Sequence, residues 1–273
     1  MTDRDDALVA PTDVRGRGRG EPIVLVPGGL TGWASWLPHA ERLVDAYRVV
    51  RTQLLGVDLG LRGEPLPPGY DLRMETRALL RAFDAVGLAQ AHVVGWSYGG
   101  GIALDLALER PERVRTLTLV EPAAPWVLEG FDRVDPTFEA SRRLMASLDT
   151  DEVGEDQLEA FLYDAGIVPV GDDARSHEGW PRWVEHRRSL RAAPAAYRHQ
   201  DDVRRLAGLD LPLLLFKGVG STTFDRAIVD LLVAACPDAR AEELPGAHVL
   251  PIVSMDAFLA TLTAFVDEHP IEG

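Results

Sequence analysis

The sequence contains a single cysteine, Cys236, among 273 residues. One thiol cannot form a disulfide within the chain, and we expect it to be buried on the apolar side of a helix. No apolar run approaches the roughly 20 residues that span a bilayer. Residues 1–11 are acidic and lack the basic and then apolar pattern of a signal peptide. These absences predict a cytoplasmic protein without a membrane segment.

Basic residues are scarce relative to acidic ones: 28 Lys and Arg stand against 43 Asp and Glu, and the net charge is −15. Nucleic acids and anionic membranes repel such a chain, so neither is an expected partner. The Arg-Gly alternation at 15–20 is therefore interpreted as a flexible turn before the first core strand. The sequence also lacks a metal-ligand cluster, a phosphate loop and a dinucleotide fingerprint, which predicts no metal and no cofactor. Nothing in it indicates an oligomeric state.

What the sequence does contain is an alternation of strand and helix patterns. Apolar, β-branched runs typical of buried parallel strands occur at 22–26, 47–51, 91–94, 114–120, 211–216 and 239–244. Helical patterns lie at 35–46, 72–86, 100–108, 224–235 and 254–267, whereas the Gly- and Pro-rich stretch 54–70 is predicted to be loop. The alternation predicts an α/β fold, with a mostly parallel central sheet and helices on both faces. Reactive groups then lie at the carboxyl ends of the strands.

The alternation stops between residues 122 and 206. This stretch has helical periods at 138–148, 157–165 and 183–190 and no strand pattern. We therefore predict a core formed by 1–121 and 207–273, with 122–206 inserted in it as a helical lid. Some aromatic side chains of such a segment face the cleft below it. The residues predicted to contact the substrate are Leu30, Trp126, Phe138 and Phe161.

The pentapeptide GWSYG at 95–99 lies between a strand pattern and a helical one. It fits G-x-S-x-G, in which a serine occupies a strained turn and a Cβ at either glycine would clash. Ser97 is the predicted nucleophile, and a base must take its proton as it attacks. The backbone N–H of Tyr98 is one predicted oxyanion donor. The second is predicted to be that of Gly29, with Leu30 as the alternative.

His248 is the best candidate for the base among the seven histidines. It follows a predicted strand and turn and precedes the last helix, in the chain order Ser, acid, His. His39 is predicted on a surface helix, and His92 opens the strand before the elbow. The remaining histidines belong to the insertion or the tail.

Together these elements resemble the α/β-hydrolase fold, specifically its lidded single-domain serine hydrolases. The resemblance covers nearly the whole chain, from Ile23 to about Val266. It is carried by the Gly-rich loop 27–32, the elbow serine and the segment LPGAH at 244–248. Pro27 stands where the family often has His, which does not forbid catalysis because the oxyanion donors are backbone groups.

The acid of the triad departs from the family pattern. The family usually carries it as Gly-x-x-Asp after the penultimate strand, but Ser221 occupies that position here. Certain haloalkane dehalogenases of the same fold carry the acid at the end of the strand that follows the elbow helix, where this chain has Glu121. The resemblance thus implies Glu121 as the acid, with Asp225 or no carboxylate as alternatives. A structural ion pair of Glu121 with Lys217 is the non-catalytic interpretation.

The resemblance implies a serine hydrolase that cleaves an ester, thioester or activated carbonyl of a small apolar substrate through an acyl-enzyme. Ser97, His248 and Glu121 would form its triad. One alternative is an enzyme of the same fold that uses Ser and His as a general base without an acyl-enzyme. Such enzymes carry out carbon–carbon cleavage, elimination or oxygenation, for example in secondary metabolism. The other alternative is a non-catalytic binding protein. The sequence does not identify the substrate.

Overall fold

The central sheet of the protein has seven strands in the order β1-β3-β2-β4-β5-β6-β7. The computed structural model describes residues 8–16, 20–133 and 135–271. β1 pairs antiparallel with β3, and all the other neighbours pair in parallel, which confirms the predicted α/β fold. The strands are β1 (Thr12–Arg15), β2 (Pro22–Val26), β3 (Arg48–Thr52), β4 (Ala91–Trp96), β5 (Val114–Val120), β6 (Leu213–Gly218) and β7 (Ala239–Leu244).

Twelve α-helices surround the sheet within the described residues. They are α1 (Leu37–Leu43), α2 (Leu55–Leu61), α3 (Leu72–Ala85), α4 (Tyr98–Glu109), α5 (Pro125–Gly130), α6 (Pro136–Ser147), α7 (Glu155–Asp164), α8 (Trp180–His186), α9 (Pro194–Arg198), α10 (Thr223–Ala235), α11 (Leu250–Val253) and α12 (Met255–Asp267). Over the part of the chain that is described, none of these helices has the length and apolar character needed to cross a membrane.

Successive residues of the central strands enter two hydrophobic cores on opposite faces of the sheet. In β2, Val24 and Val26 pack with residues of α3, α4 and α10. Their neighbours Ile23 and Leu25 pack with residues of α1 and α12. Because both faces are covered, the central strands are buried at almost every position and mostly apolar or β-branched, which is why the sequence pattern located them well.

The amino-terminal edge of the sheet differs from the prediction. β1 was not expected, because its polar, half-exposed residues TDVR lack the apolar pattern of a central strand. It is an edge strand held on β3, where Asp13 forms ion pairs with Arg15 and Arg51. Of the turn predicted at 15–20, residues 17–19 lie outside the described residues.

The stretch 54–70, predicted as loop, contains the helix α2, so that prediction was wrong. The carboxylate of Glu75 on α3 accepts hydrogen bonds from the backbone N–H groups of Leu55 (2.9 Å) and Gly56 (2.8 Å) at the start of α2. The missing Cβ of Gly56 permits close packing, since a Cβ there would lie 2.4 Å from the Cβ of Ala192. A tertiary contact, rather than local propensity, therefore stabilises this helix.

Glu75 is expected to be a strong stability determinant because it is 2% exposed and also accepts a hydrogen bond from the Tyr70 hydroxyl. Replacing Glu75 by alanine leaves several buried donors without an acceptor. We expect the free energy of unfolding to fall by roughly 3–5 kcal/mol in urea denaturation. The matched control is Glu64→Ala at an exposed position, with a change below about 1 kcal/mol. A similarly small effect of Glu75→Ala would contradict the role assigned to this carboxylate.

His39 lies in α1, whose Glu41 and Arg42 are exposed as a surface helix requires, but the His39 side chain itself has no exposed area. Its Nε2 is 2.8 Å from the carbonyl oxygen of Pro251, and its ring packs edge-on against Trp36 at 4.8 Å. The histidine face of α1 covers the second core instead of facing solvent, and burial lowers the pKa of His39. Cys236 is buried where α10 ends, as expected, and burial raises its pKa to about 11.

The chain between β5 and β6 holds α5 to α9 and short 3-10 turns, and within its described residues no strand forms. A third hydrophobic cluster lies here, with Leu148, Leu158, Leu162 and Leu190 among its buried members. Leu30 of the Gly-rich loop after β2 joins the same cluster. The insertion thus packs on the loop beside the nucleophile elbow, and its division from the core as a lid stays a prediction.

Candidate active site

Ser97 occupies the sharp turn between β4 and α4. Its backbone has φ 56° and ψ −120°, a conformation that is strained for any residue other than glycine. The surrounding backbone fixes it: the Ser97 N–H donates to the carbonyl of Val120 (2.9 Å), and the Ser97 carbonyl accepts from the N–H of Ala123 (2.8 Å). The turn therefore presents the hydroxyl at the carboxyl edge of the sheet and at the amino end of a helix.

The two glycines of the pentapeptide are required by close approach of the backbone. A Cβ on Gly95 would lie 2.6 Å from the carbonyl oxygen of Gly99, and one on Gly99 would lie 2.3 Å from the carbonyl oxygen of Pro27. Both distances are shorter than non-bonded contacts allow. The turn thus packs against the Gly-rich loop after β2.

Glu121 and His248 are hydrogen-bonded to each other, with His248 Nδ1 2.8 Å from Glu121 Oε2. Glu121 follows β5 directly, has φ 39° and is 1% exposed. Its other carboxylate oxygen accepts a hydrogen bond from the N–H of Gly218 at 2.7 Å. The carboxylate is therefore fixed from two sides. Because His248 Nδ1 donates to it, Nε2 is free to accept a proton.

The pair perturbs the pKa of both partners. Burial acts to raise the pKa of Glu121, but the hydrogen bond and charge of His248 hold it below its usual 4.5, helped by Ser221. Burial acts to lower the pKa of His248, but the hydrogen bond and charge of Glu121, and then Asp225, raise it above 6.5. The site thus favours a carboxylate beside an imidazole that protonates readily.

Lys217 does not form the ion pair with Glu121 that was the non-catalytic interpretation. Its Nζ lies 2.5 Å from Asp230 Oδ1 on α10. Ser221, at the family's usual acid position, is near the Glu121 carboxylate and lowers the pKa of that carboxylate. Glu121 is thus paired with His248 and not with Lys217.

The predicted oxyanion donors lie side by side. A Cβ on Gly29 would be 3.5 Å from the Cβ of Tyr98, and one on Gly28 would be 3.7 Å from the Cβ of Ser97. The N–H of Tyr98 belongs to the first turn of α4, where backbone donors have no partner within the helix. The Tyr98 side chain is buried, with its hydroxyl 3.2 Å from that of Tyr70. The donor roles of the two backbone groups stay predictions.

Two cavities meet at Ser97. The outer one has a volume of about 330 Å³ and a largely apolar wall. The inner one has a volume of about 60 Å³ and is lined partly by carboxyl groups. Four residues line both cavities: Gly29, Ser97, Phe161 and His248. Ser97 thus lies where two spaces of different size and lining meet.

Of the four residues predicted to contact the substrate, two line the cavities at Ser97 and two do not. Leu30 lines the outer cavity, and Phe161 lines both. Trp126 lines neither: it is buried against His199, with ring centroids 6.4 Å apart. Phe138 also lines neither, because it stacks behind Tyr197 at a centroid distance of 6.0 Å. α5 and α6 turn these two aromatics into the core, which sequence spacing alone does not reveal, so the two cavities at Ser97 do not support their predicted contact with a substrate.

Several lining residues were not identified from the sequence. In the outer cavity they include Ile167 and Trp183. In the inner cavity they include Asp164 and Tyr197. No sequence signal marks them, because they come from an irregular helical insertion whose packing sets which side chains face inward.

Away from the elbow, Asp105, His199 and Asp201 place their potential ligand atoms within 4.8 Å of one another. Arg73 already lies at this cluster, with Nε 3.7 Å from Asp105 Oδ1 and Nη2 3.9 Å from Asp201 Oδ2. Its guanidinium supplies positive charge where a metal ion would. The expectation that the protein uses no metal or cofactor stays a prediction.

Comparison with known proteins gives consistent matches. A family model described as the alpha/beta hydrolase fold matches residues 21–253. Over 206 residues, the chain is 32% identical to a 2-hydroxymuconate semialdehyde hydrolase of Pseudomonas sp. strain CF600, which covers 69% of this chain and 70% of that relative.

Solved structures show the same fold. A crystal structure of a hydrolase from Pseudomonas aeruginosa PA01 superposes with a TM-score of 0.77 at 24% identity, over 93% of this chain and 92% of that one. The enol-lactonase from Burkholderia xenovorans LB400 superposes with a TM-score of 0.72 at 22% identity, over 94% and 95% of the two chains. At these identities the similarity is one of fold.

Proposed function

Because this chain belongs to the alpha/beta hydrolase fold family, we propose that it is a serine hydrolase that cleaves an ester, thioester or activated carbonyl of a small molecule. The observation that carries the proposal is the 2.8 Å hydrogen bond between His248 Nδ1 and Glu121, next to Ser97 on its strained turn. A nucleophile, a base and an acid that orients the base are the parts that acyl transfer requires.

In the proposed reaction, Ser97 Oγ attacks the carbonyl carbon while His248 Nε2 takes the hydroxyl proton. The backbone N–H groups of Gly29 and Tyr98 donate to the oxyanion of the tetrahedral intermediate. The intermediate collapses as His248 returns the proton to the leaving group, which leaves an acyl-enzyme on Ser97. Water then attacks the acyl carbon with His248 again as base, and the carboxylic acid and free serine result. Glu121 stabilises the imidazolium in both steps.

We propose that the insertion 122–206 acts as a lid on a core of 1–121 and 207–273. Phe161, Ile167 and Trp183 of the insertion form part of the outer cavity wall, so the apolar part of a substrate would bind beneath them. The net charge of −15 supports a small-molecule substrate rather than a nucleic acid. A single, buried thiol suits the reducing cytoplasm, which we propose as the compartment.

A second candidate function uses Ser97 and His248 as a general base without an acyl-enzyme. It is favoured by the position of Glu121 at the end of β5, since enzymes of this fold with such chemistry also carry the acid there. The semialdehyde hydrolase named among the relatives is compatible with either route.

The two candidates differ in whether an acyl group becomes attached to Ser97. We expect p-nitrophenyl butanoate to be hydrolysed with a burst of p-nitrophenol, and an acid-quenched sample to carry one butanoyl group, located on Ser97 by peptide mass mapping. A fluorophosphonate probe should label the same residue. Turnover without any adduct would favour the general base. Absence of both turnover and labelling would favour a binding protein.

A further inference from the structure

The inner cavity beside Ser97 is lined by more acidic than basic side chains. Three carboxyl groups line it, those of Glu121, Asp164 and Asp225, while His248 is the only basic group among its described lining residues. Glu121 is already hydrogen-bonded to His248. Asp164 and Asp225 therefore face the cavity without a cation of their own.

Asp225 leaves one oxygen unused. Its side chain is nine-tenths buried, with 9% exposure. Oδ2 accepts a hydrogen bond from the hydroxyl of Thr222 at 2.6 Å, whereas Oδ1 has no hydrogen-bond partner in the described parts of the chain. One of its oxygens lies within 4.8 Å of the imidazole of His248 and the carboxylate of Glu121. An acceptor that has no partner among the described residues thus lines the cavity, close to the imidazole of His248.

Asp164, the last residue of α7, lines the same cavity. Its Oδ2 accepts a hydrogen bond from the Ser141 hydroxyl at 2.7 Å, and that hydroxyl lies 2.7 Å from the hydroxyl of Tyr197. Burial raises the pKa of Asp164 and raises that of Asp225 to about 7. Each carboxylate is thus destabilised by its surroundings, and a bound cation would relieve this.

Size and charge together restrict the group that can bind. A volume of about 60 Å³ has room for roughly four to six water-sized groups, at about 10–15 Å³ each. A carboxylate would be repelled by the aspartates, and an alkyl group would leave them desolvated without a donor. An ammonium group on a short chain supplies both a positive charge and several donors.

We propose that the inner cavity binds a short acyl group bearing a primary ammonium, which donates hydrogen bonds to Asp225 and Asp164. The substrates would then be small aminoacyl esters, thioesters or amides, with the leaving group in the apolar outer cavity. This inference rests on the proposed function, since it assigns the acyl side of the same reaction.

The test compares two esters of nearly equal shape, p-nitrophenyl 3-aminopropanoate and p-nitrophenyl butanoate, which differ in an ammonium against a methyl group. Each kcat/KM is divided by the rate constant for hydrolysis of the same ester by hydroxide, which corrects for the different chemical reactivity of the two esters. We expect the normalised value to be about 10- to 100-fold higher for the aminoacyl ester. A ratio near one in the wild-type protein would overturn the proposal.

The variants Asp225→Asn and Asp164→Asn are each expected to reduce this ratio by about tenfold. They keep the shape of the side chain but remove its charge. The matched control is Asp210→Asn at an exposed position, which should leave the ratio unchanged. A ratio that survives both cavity substitutions, in variants with wild-type circular dichroism, would also overturn the proposal.

A binding measurement separates this inference from the proposed function. Calorimetry on the wild-type protein compares 3-aminopropanamide with butanamide, and we expect at least about tenfold tighter binding of the amine. Preferential binding without hydrolysis of either ester would refute the hydrolase but not the cavity assignment. Hydrolysis of butanoate esters without preferential amine binding would refute the cavity assignment alone.

Discussion

Replacing Ser97 by alanine is expected to lower kcat for p-nitrophenyl butanoate by about 10⁴- to 10⁶-fold. The variant lacks the only oxygen that could form the acyl-enzyme in the proposed reaction, so His248 and Glu121 have no nucleophile to activate. The residual rate would come from the oxyanion donors and from substrate binding, which act without the serine. Steady-state kinetics with p-nitrophenol detection measure the loss.

The fold should tolerate this change, because Ser97 contributes no side-chain hydrogen bond as a helix cap. Alanine keeps the strained φ of 56°, whereas Ser97→Gly removes the steric cost of that conformation and should be more stable by up to about 1 kcal/mol. Ser147→Ala, at an exposed position on α6, is the matched control with unchanged kcat. Activity of Ser97→Ala within tenfold of the wild type would exclude Ser97 as the nucleophile.

The sequence predicted best those strands that are buried on both faces along most of their length. β5 was located at 114–120 because both of its faces are covered, and six of its seven residues are apolar or β-branched. β1 and α2 were missed because each depends on a tertiary partner: β1 on the exposed edge of β3, and α2 on the carboxylate of Glu75. Neither partner leaves a mark in the local sequence.

The candidate site divides in the same way. Ser97 and Gly29 could be singled out because their turns require particular residues at fixed spacing. Glu121 could be proposed because a strand that ends at a carboxylate points it to the edge where the nucleophile lies. Asp164 could not be connected with Asp225 from sequence. They line one cavity only through the packing of the insertion on the core, and that packing follows from no short motif.

The substitution Glu121→Gln tests the acid most directly, and we expect kcat to fall by about 10³- to 10⁴-fold. Glutamine has nearly the same shape and keeps an oxygen for the N–H of Gly218. Its NH₂ group, however, donates to His248 Nδ1 instead of accepting from it. The imidazole is then held in the tautomer that protonates Nε2, which cannot take the proton of Ser97. The neutral amide also fails to stabilise the imidazolium.

The pH profile of the same variant tests whether the charge of Glu121 raises the pKa of His248. Glu121 raises the pKa of His248 above 6.5, and the base acts only when unprotonated, so wild-type kcat/KM should rise as pH increases through that raised value. In Glu121→Gln the raising charge is absent, and the acidic limb of the residual activity should move to lower pH. Asp225→Asn also removes a charge near His248, but it leaves the hydrogen bond at Nδ1 and should keep most of kcat for the butanoate ester. If Asp225→Asn caused the larger loss and Glu121→Gln turned over at the wild-type rate, Asp225 would replace Glu121 as the acid.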